Sequence, residues 1–390
     1  MIPLAARQIG DSEGCPTCFG DVQVQSLISI FREVRDPRDC NARHELAAIL
    51  FIALAATLCG ARNCVEIAEF AEANEAELAE IVDLPHGSPS HDCFSRVFRL
   101  LDPVQLAEVF AAFNRALREG LGLAPASGVV AVDGKRLRRG YERGKAYMPP
   151  LLVSVWDAET RLSLAAGVSG EGNEVKATLT ALKSVVLKGC LVTADALHCH
   201  PAMAAAVLAE GADYAIKLKA NHRPLFDCAV AGFAAADATA ALAFQERRDA
   251  GHDRSEWRRG SVIAVPPDAP AFPGLAALGR IESERVMADG KTSKAIHYIV
   301  LSRRLPPERL LEVVRLHWSV ENHLHRQLDV VFHEDDARSR KNNAAANLGI
   351  IRRIALDVLR SHPDPRPPRR KMNLARWKKG FFYELFTHMR

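Results

Sequence analysis

Two aspartates, Asp133 and Asp195, each stand directly after a short apolar segment. Residues 129–132 precede the first and residues 190–194 precede the second. Segments of β-branched and small apolar residues are typical of strands that are buried on both faces. A carboxylate at the end of a rigid buried strand is well placed to bind a metal ion. The run of lysine and arginine that follows Asp133 favours a polyanionic ligand beside it.

A third carboxylate, Glu321, lies in a late segment with helical periodicity. Apolar residues recur at helical spacing from about residue 308 to residue 331, and at about 100° per residue Glu321 falls inside their arc. A carboxylate on an inward face costs desolvation energy unless it meets a cation or a hydrogen-bond partner. His317 and His325, four residues away on either side, are the partners that a purely structural role would use. Because two further carboxylates stand at strand ends, we favour a metal-binding role.

Three carboxylates on separate elements suit Mg²⁺, which prefers hard oxygen ligands and keeps several waters. Mn²⁺ could take its place. Two such ions about 4 Å apart activate a water or a 3′-hydroxyl and stabilise the leaving oxygen of a phosphodiester, so no protein nucleophile is needed. The sequence has no Walker-type loop, dinucleotide fingerprint or Gly-x-Ser-x-Gly elbow. These residues therefore indicate phosphodiester hydrolysis or transfer.

The order of the predicted elements indicates an α/β fold. Strands are predicted at 129–132, 151–156, 161–168, 190–194 and 213–218, with helices before each of the last two. Three strands followed by helix, strand, helix and strand is the order of the ribonuclease H-like fold, a mixed five-stranded sheet with helices. The first and fourth strands are neighbours in that fold. The order therefore predicts that Asp133 and Asp195 emerge side by side.

The remaining chain is divided around this core. The predicted segments are a flexible N-terminus (1–21), an all-helical N-terminal domain (22–122), the first part of the core (128–220), a mostly β insertion (221–304), the second part of the core (305–360) and a basic C-terminal tail (361–390). A capped helix that carries Arg96 and Arg99 could belong to a helix-turn-helix, although packing alone explains this segment slightly better.

Basic charge is concentrated toward the C-terminus. The net charge is +4, and from Leu301 onward 19 Lys and Arg stand against 10 Asp and Glu. This distribution indicates an anionic partner for the C-terminal part, with a solvated tail as an equal alternative. The longest apolar run, at 46–59, is shorter than the roughly 20 residues that span a bilayer, and no signal-peptide pattern precedes it. We therefore expect a cytoplasmic protein without membrane association.

The cysteines favour reduced thiols. There are 9, an odd number that argues against a disulfide framework. Cys15 and Cys18 have the spacing of zinc ligands, with Cys40 and His44 as conceivable third and fourth ligands, but no second close pair of cysteines accompanies them. A zinc site is the weaker interpretation.

Many short segments, all in one order, resemble bacterial insertion-sequence transposases of the DDE class, in the branch of the H-repeat-associated proteins. The resemblance runs from about Ser26 to the end of the chain. The matching segments include Val132-Asp133-Gly134-Lys135, Asn173-Glu174, Thr193-Ala194-Asp195-Ala196, Lys217-Leu218-Lys219-Ala220-Asn221, His317-Trp318-Ser319-Val320-Glu321-Asn322 and Glu334-Asp335.

The resemblance implies a transposase that cleaves DNA and transfers strands at the ends of its own element, with Asp133, Asp195 and Glu321 as catalytic metal ligands. It also implies the ribonuclease H-like core, the β insertion and a helical domain that binds DNA ends. Double-stranded DNA is the expected partner, bound by a homodimer or larger oligomer. The residues expected to contact DNA are Lys135, Arg136, Arg138, Lys219, Asn221, His317, Trp318, Asn322, His325, Arg369, Arg370, Lys371, Lys378 and Lys379.

Two other functions stay open on the sequence. A catalytically silent or domesticated relative would bind DNA without a divalent ion and would cleave nothing. A stand-alone metal-dependent nuclease would cleave DNA but would not call for an end-binding helical domain. The wider superfamily has Tyr, Arg and Lys at fixed offsets from the catalytic Glu, where this chain has Val314, His317 and Leu328.

Overall fold

The computed structural model describes residues 22–40, 42–124, 126–141, 144, 148–169, 173–239, 242–251 and 254–388. The flexible N-terminus predicted at 1–21, and with it the zinc site at Cys15 and Cys18, lies outside the described residues. Among the residues that are described, no helix combines the length and the hydropathy that a membrane span requires.

Helices occupy the chain from Val22 to Gly120. They are α1 (Val22–Arg32), α2 (Leu46–Leu58), α3 (Cys64–Ala73), α4 (Glu75–Ala79), α5 (His91–Leu100) and α6 (Pro103–Gly120). Every residue of α2 is buried, as expected for a helix that is apolar on all sides. Asn63, Ser90 and Asp102 cap α3, α5 and α6, because their side chains accept hydrogen bonds from backbone N–H groups of the first turn.

A mixed sheet of nine strands is the centre of the described part of the chain. The strands are β1 (Val129–Arg136), β2 (Leu151–Asp157), β3 (Leu162–Ser169), β4 (Leu191–Ala194), β5 (Asp213–Leu218), β6 (Phe244–Gly251), β7 (Arg254–Ala264), β8 (Ala277–Met287) and β9 (Thr292–Leu301). Their order across the sheet is β3-β2-β1-β4-β5-β9-β8-β7-β6. β4 pairs in parallel with β1 and with β5, and the other neighbours are antiparallel.

The predicted five-stranded core is not a separate sheet, because four strands of the predicted β insertion extend it to nine. β9 pairs antiparallel with β5, from Leu218 opposite Tyr298 to Ala215 opposite Leu301. The strands of the insertion therefore continue the same sheet. The insertion also begins with a helix of 16 residues, α9 (Arg223–Ala238), which was not predicted.

Apolar cores cover both faces of the sheet, because successive residues of a strand point to opposite sides. Val130 and Val132 of β1 face α7 (Glu174–Lys183), α8 (Pro201–Ala209) and α9. Val129 and Ala131 face the other way, into a core that also contains residues of α1–α6 and of the C-terminal helices. The N-terminal helices therefore share their core with the rest of the chain, and their status as a separate domain stays a prediction.

The C-terminal part is helical throughout most of its length. Its helices are α10 (Pro307–His317), α11 (Arg326–Val330), α12 (Ala344–Ser361), α13 (Pro368–Trp377) and α14 (Lys379–Thr387), with a π-helical turn (Val320–His325) between α10 and α11. The segment from about 308 to 331 is helical as predicted, but the π-helical turn, which was not predicted, divides it. The predicted tail is folded, since α14 buries Phe381, Leu385 and Phe386.

A buried ion pair ties α12 to the segment that follows α11. Arg353 Nη1 lies 3.1 Å from Glu334 Oε1, and both side chains are completely buried. The removal of one partner from such a pair leaves an unpaired charge in the core, which typically costs about 3–5 kcal/mol.

We predict that Arg353→Met lowers the free energy of unfolding by about 3 kcal/mol, because Glu334 loses its hydrogen-bonded counter-charge and keeps only the more distant Arg352, at 3.9 Å. Denaturant unfolding measures the change. Arg309→Met, which breaks the exposed pair between Arg309 and Glu312, is the matched control and should cost less than about 1 kcal/mol. Equal losses in the two variants would contradict a stabilising role for the buried pair.

Candidate active site

Asp133 and Asp195 lie at the same edge of the sheet. Val132 of β1 is the register partner of Ala194 of β4 in a parallel pair. Each aspartate follows its member of that pair directly, so the two side chains leave neighbouring strands. The side-by-side arrangement that was predicted from the strand order is thus what the pairing produces.

Asp133 is held in an electrostatically unfavourable position. Burial, together with the charges of Asp195 and Glu321 and against a lowering effect of His317, raises the pKa of its carboxyl group to about 7. His325 Nδ1 lies 3.4 Å from Asp133 Oδ2. Burial lowers the pKa of His325 to about 3, with the charges of Arg353 and Lys135 acting in the same direction. A neutral imidazole beside Asp133 leaves most of the carboxylate charge uncompensated.

Asp195 lies in the opposite electrostatic environment. Its interaction with His317 lowers the pKa of the carboxyl group to about 2, and Lys217 and Lys219 add to the lowering while burial opposes it. His317 Nε2 is 3.8 Å from Asp195 Oδ1, a distance typical of an ion pair rather than of a hydrogen bond. His317 Nδ1 is 3.0 Å from the hydroxyl of Thr193, which fixes the ring beside the carboxylate. Asp195 is therefore ionised at neutral pH.

Glu321 lies in the π-helical turn and is exposed. The predicted inward orientation was wrong, because a π-helical turn has more residues than an α-helical one and the wheel at about 100° per residue no longer applies. Glu321 lines a cleft with Asp195, and Lys217, His297, His317 and Trp318 are among the other residues of its wall. The cleft thus joins residues of β4, β5, β9 and the segment after α10.

No group of three or more His, Cys, Asp or Glu side chains in the described ranges is close enough together to hold a metal ion as it stands. Asp133 does not line the cleft, although its pKa responds to both Asp195 and Glu321. The structure therefore brings the three predicted carboxylates into one neighbourhood without closing them into a ligand set.

Several of the predicted DNA contacts have other partners. The ammonium of Lys135 is buried between Asp329, at 2.8 Å, and Asp335, at 3.1 Å. Lys371 is buried in α13 and donates to the carbonyl oxygens of Leu359 and His362, both at 2.8 Å. These two predictions need correction, because each ammonium already has its partners inside the protein.

Two further predicted contacts have partners within the protein near the carboxylates, although Asn221 is also exposed. His325 lies against Asp133 with little exposure, 12% for its side chain. Asn221 donates to the carbonyl oxygen of Ala196 at 2.8 Å, directly after Asp195. Both contacts support the local geometry of a carboxylate.

The remaining predicted contacts are accessible but lie in different places. Trp318 is 44% exposed and lines the cleft with His317. Exposed residues of the group are Arg136, Arg138, Lys219, Asn322, Arg369, Arg370, Lys378 and Lys379. Lys379 pairs with Glu77 and lines a separate groove between α3 and the C-terminal helices. The residues of α13 and α14 are thus not part of the cleft.

Two cleft residues were missed by the sequence analysis, Lys217 and His297. The sequence offers a weak indication for Lys217, because it stands two residues before Lys219 and side chains two residues apart in an extended segment point to the same side of the sheet. His297 carried none, since only the pairing of β9 with β5 brings it to the cleft.

The raised pKa of Asp133 predicts a specific pH dependence of stability. Between pH 3.8 and about 7 the folded protein binds a proton that the unfolded chain releases, so the contribution of Asp133 to stability falls as the pH rises through this range. Asp133→Asn removes the titration. The difference in melting temperature, Asp133→Asn minus wild type, should therefore increase from pH 4 to about pH 7 and stay constant above. Melting curves of both proteins in metal-free buffers test this, and a difference that does not change with pH would contradict it.

Two family models match this chain, one over the N-terminal helices and one over the sheet and the helices that follow it. The family model described as Transposase DDE domain matches residues 124–358, and the model described as DDE_Tnp_1-associated matches residues 28–114. The first model covers the sheet, the cleft and all three carboxylates.

Relatives match most of the chain. The Escherichia coli K12 protein named "H repeat-associated putative transposase YhhI" is 29% identical over 346 residues, which cover 85% of this chain and 89% of that protein. An uncharacterized protein in the dhlA 3′ region of Xanthobacter autotrophicus is 34% identical over 284 residues, 71% of this chain and 94% of that protein.

A solved piggyBac transposase synaptic complex with hairpin DNA aligns with 96% of this chain and 83% of that chain at 12% identity, but its TM-score of 0.45 does not establish a shared fold. The family models and the relatives agree with each other and confirm the resemblance found in the sequence. The chain belongs to the transposase DDE domain family, in the branch that includes the H repeat-associated transposases.

Proposed function

We propose that this transposase cleaves DNA strands at the ends of an insertion sequence and transfers them, with Asp133, Asp195 and Glu321 as the residues that hold a divalent metal. The observation that carries the proposal is the arrangement of the three carboxylates. Asp133 and Asp195 follow paired residues of β1 and β4, and Glu321 of the π-helical turn lines one cleft with Asp195. The order of β1 to β5 supports a ribonuclease H-like core within the larger sheet.

The donor set fits Mg²⁺. Three carboxylates offer hard oxygen ligands and leave coordination positions for water and phosphate oxygens. Burial and, to a smaller extent, the charges of Asp195 and Glu321 raise the pKa of Asp133, and a bound cation would offset both effects. When bound, the metal would supply an activated water or 3′-hydroxyl and would stabilise the leaving oxygen. Mn²⁺ has similar ligand preferences.

The residues around the cleft would orient the scissile phosphate. Lys217 and His297 line it, and Lys219 is close enough to affect the pKa of both Asp195 and His297. The positive charges of Lys217 and Lys219 would hold phosphate oxygens next to the carboxylates. Burial lowers the pKa of His297, which would therefore contribute a neutral imidazole. The exposed ring of Trp318 offers a stacking surface for a base at the same opening.

A basic ridge beside the site would hold the DNA backbone. The loop after β1 and the loop before α12 meet there, since Arg138 lies 3.4 Å from Asp335 and Arg340 donates to the carbonyl oxygen of Arg139 at 3.1 Å. The ridge consists of Arg136, Arg138, Arg139, Arg338, Arg340 and Lys341. Asp335 and Asp336 neutralise only part of this charge. Arg136 and Arg138 were expected to contact DNA, whereas the other four become apparent only when the two loops meet.

We predict that Asp195→Asn and Glu321→Gln each lower the rate of Mg²⁺-dependent strand cleavage by about 1000-fold, equivalent to about 4 kcal/mol of transition-state stabilisation. Glu312→Gln, an exposed carboxylate on α10, is the control and should retain full activity. The assay uses DNA that carries the ends of the element, and metal-free DNA binding is measured alongside. Full activity of Asp195→Asn would exclude this mechanism, and binding without cleavage by the wild type would identify a silent relative.

The basic ridge makes a second prediction, on salt dependence. Arg338→Ala with Lys341→Ala should reduce the slope of log affinity against log salt concentration for duplex DNA by about 2, because each lost phosphate contact releases about 0.9 fewer counterions. Lys291→Ala with Lys294→Ala removes the same charge from exposed positions on the β8–β9 hairpin and should leave the slope unchanged. Equal slopes in both double variants would rule out the ridge as a backbone contact.

Assembly on DNA as a homodimer or larger oligomer stays a prediction. Strand transfer needs two element ends in one complex, which one protomer with one cleft would not hold. The β-strand insertion and the helices from α1 to α6 supply surface for such an assembly beyond the cleft itself.

A further inference from the structure

The π-helical turn that carries Glu321 has contacts from the protein interior on both sides of that residue. Two residues before it, the hydroxyl oxygen of Ser319 accepts a buried hydrogen bond of 3.1 Å from Trp156 Nε1. Two residues after it, the carbonyl oxygen of His323 accepts a hydrogen bond from Arg360 Nη2. Trp156 belongs to β2 and Arg360 to α12, so both donors come from elements outside the turn.

The two donors form one unit. The guanidinium of Arg360 lies over the ring of Trp156, 4.9 Å from its centroid. Trp156 is completely buried, and Asp357 lies one turn before Arg360 on α12, also completely buried. The negative side chain of Asp357 supplies the counter-charge that keeps a guanidinium in this place. Contacts in the core therefore hold both donor groups in place independently of the turn.

A π-helical turn is less stable than an α-helical one and persists where its surroundings support it. Relaxation of the turn to α-helical geometry would rotate α11, which follows the turn, by about 100° relative to α10, and would rotate Glu321, inside the turn, by part of that angle. In α-helical geometry Glu321 falls within the apolar arc of this segment, among residues such as Val320 and Leu324 that are completely buried. The geometry of the π-helical turn therefore contributes to the direction in which Glu321 leaves the backbone, toward the cleft that it lines with Asp195.

We propose that Trp156 and Arg360 are positioning residues. They stabilise the π-helical turn against α-helical geometry and so keep Glu321 in the cleft. The proposal rests on the proposed function, because the position of Glu321 matters for cleavage only if Glu321 is a catalytic carboxylate. Neither residue touches the cleft, so both act through Ser319 and the backbone of His323.

The test uses variants that keep the packing and remove the hydrogen bond. Trp156→Phe keeps an aromatic ring, Arg360→Lys keeps the charge, and Ser319→Ala removes only a hydroxyl group. Arg280→Lys is the matched control, because Arg280 is also a buried arginine that pairs with a carboxylate, Asp237, and lies 4.7 Å from an aromatic ring, in the β insertion.

The first measurement is hydrogen–deuterium exchange of the metal-free protein. We expect peptides that cover residues 318–326 to exchange about tenfold faster in the three variants, as the loss of one buried hydrogen bond predicts, and to be unchanged in Arg280→Lys. The second is strand cleavage, where kcat should fall by about 10- to 100-fold with an unchanged KM for DNA, because the carboxylate is displaced rather than lost.

Unchanged exchange and unchanged kcat in Ser319→Ala and Trp156→Phe would overturn the proposal, provided that Glu321→Gln is inactive. A fully active Glu321→Gln would instead refute the proposed function. The exchange measurement would still decide whether Trp156 and Arg360 stabilise the π-helical turn. If Arg360→Lys fails to fold, Ser319→Ala carries the test, because it removes the smallest group.

Discussion

Because β1 and β4 pair in parallel, the chain must place Asp133 and Asp195 at the same edge of the sheet, where their negative charges repel each other. His317 offsets only part of this cost at Asp133. The imidazole of His325, 3.4 Å from Asp133, is kept neutral by burial, and the ammonium of Lys135 is paired with Asp329 and Asp335. A divalent cation bound as proposed would lower this cost at the edge of the sheet.

The parts of this arrangement that the sequence predicted are those encoded locally. Short apolar runs specify β1 and β4, and the aspartate that follows each run needs no distant contact to be noticed. The strand order then predicts their adjacency, because parallel neighbours in such a sheet present the same ends. The carboxylate on the late segment was also recognisable, as the acidic residue within an apolar helical pattern.

The parts that the sequence did not predict depend on distant contacts. The sheet has nine described strands because β9 pairs with β5, and no local pattern encodes that partner. In the sequence, Lys371 belongs to the same basic run as its exposed neighbours Arg369 and Arg370. In the structure its ammonium is buried and donates to two backbone carbonyl oxygens. Glu321 lies in the cleft because Trp156 and Arg360 contact its turn, and both are far away in the sequence. A helical wheel contains none of this information.

The central claim, that three carboxylates hold one metal site, is tested most directly by anomalous diffraction from crystals of the protein grown with Mn²⁺ and element-end DNA. Manganese scatters anomalously and shares the oxygen ligands of Mg²⁺. The account predicts an anomalous peak bonded to carboxylate oxygens of Asp133 and Asp195, with Glu321 completing the site. Ordered side chains at these positions without a peak between them, or a peak held by other residues, would contradict it.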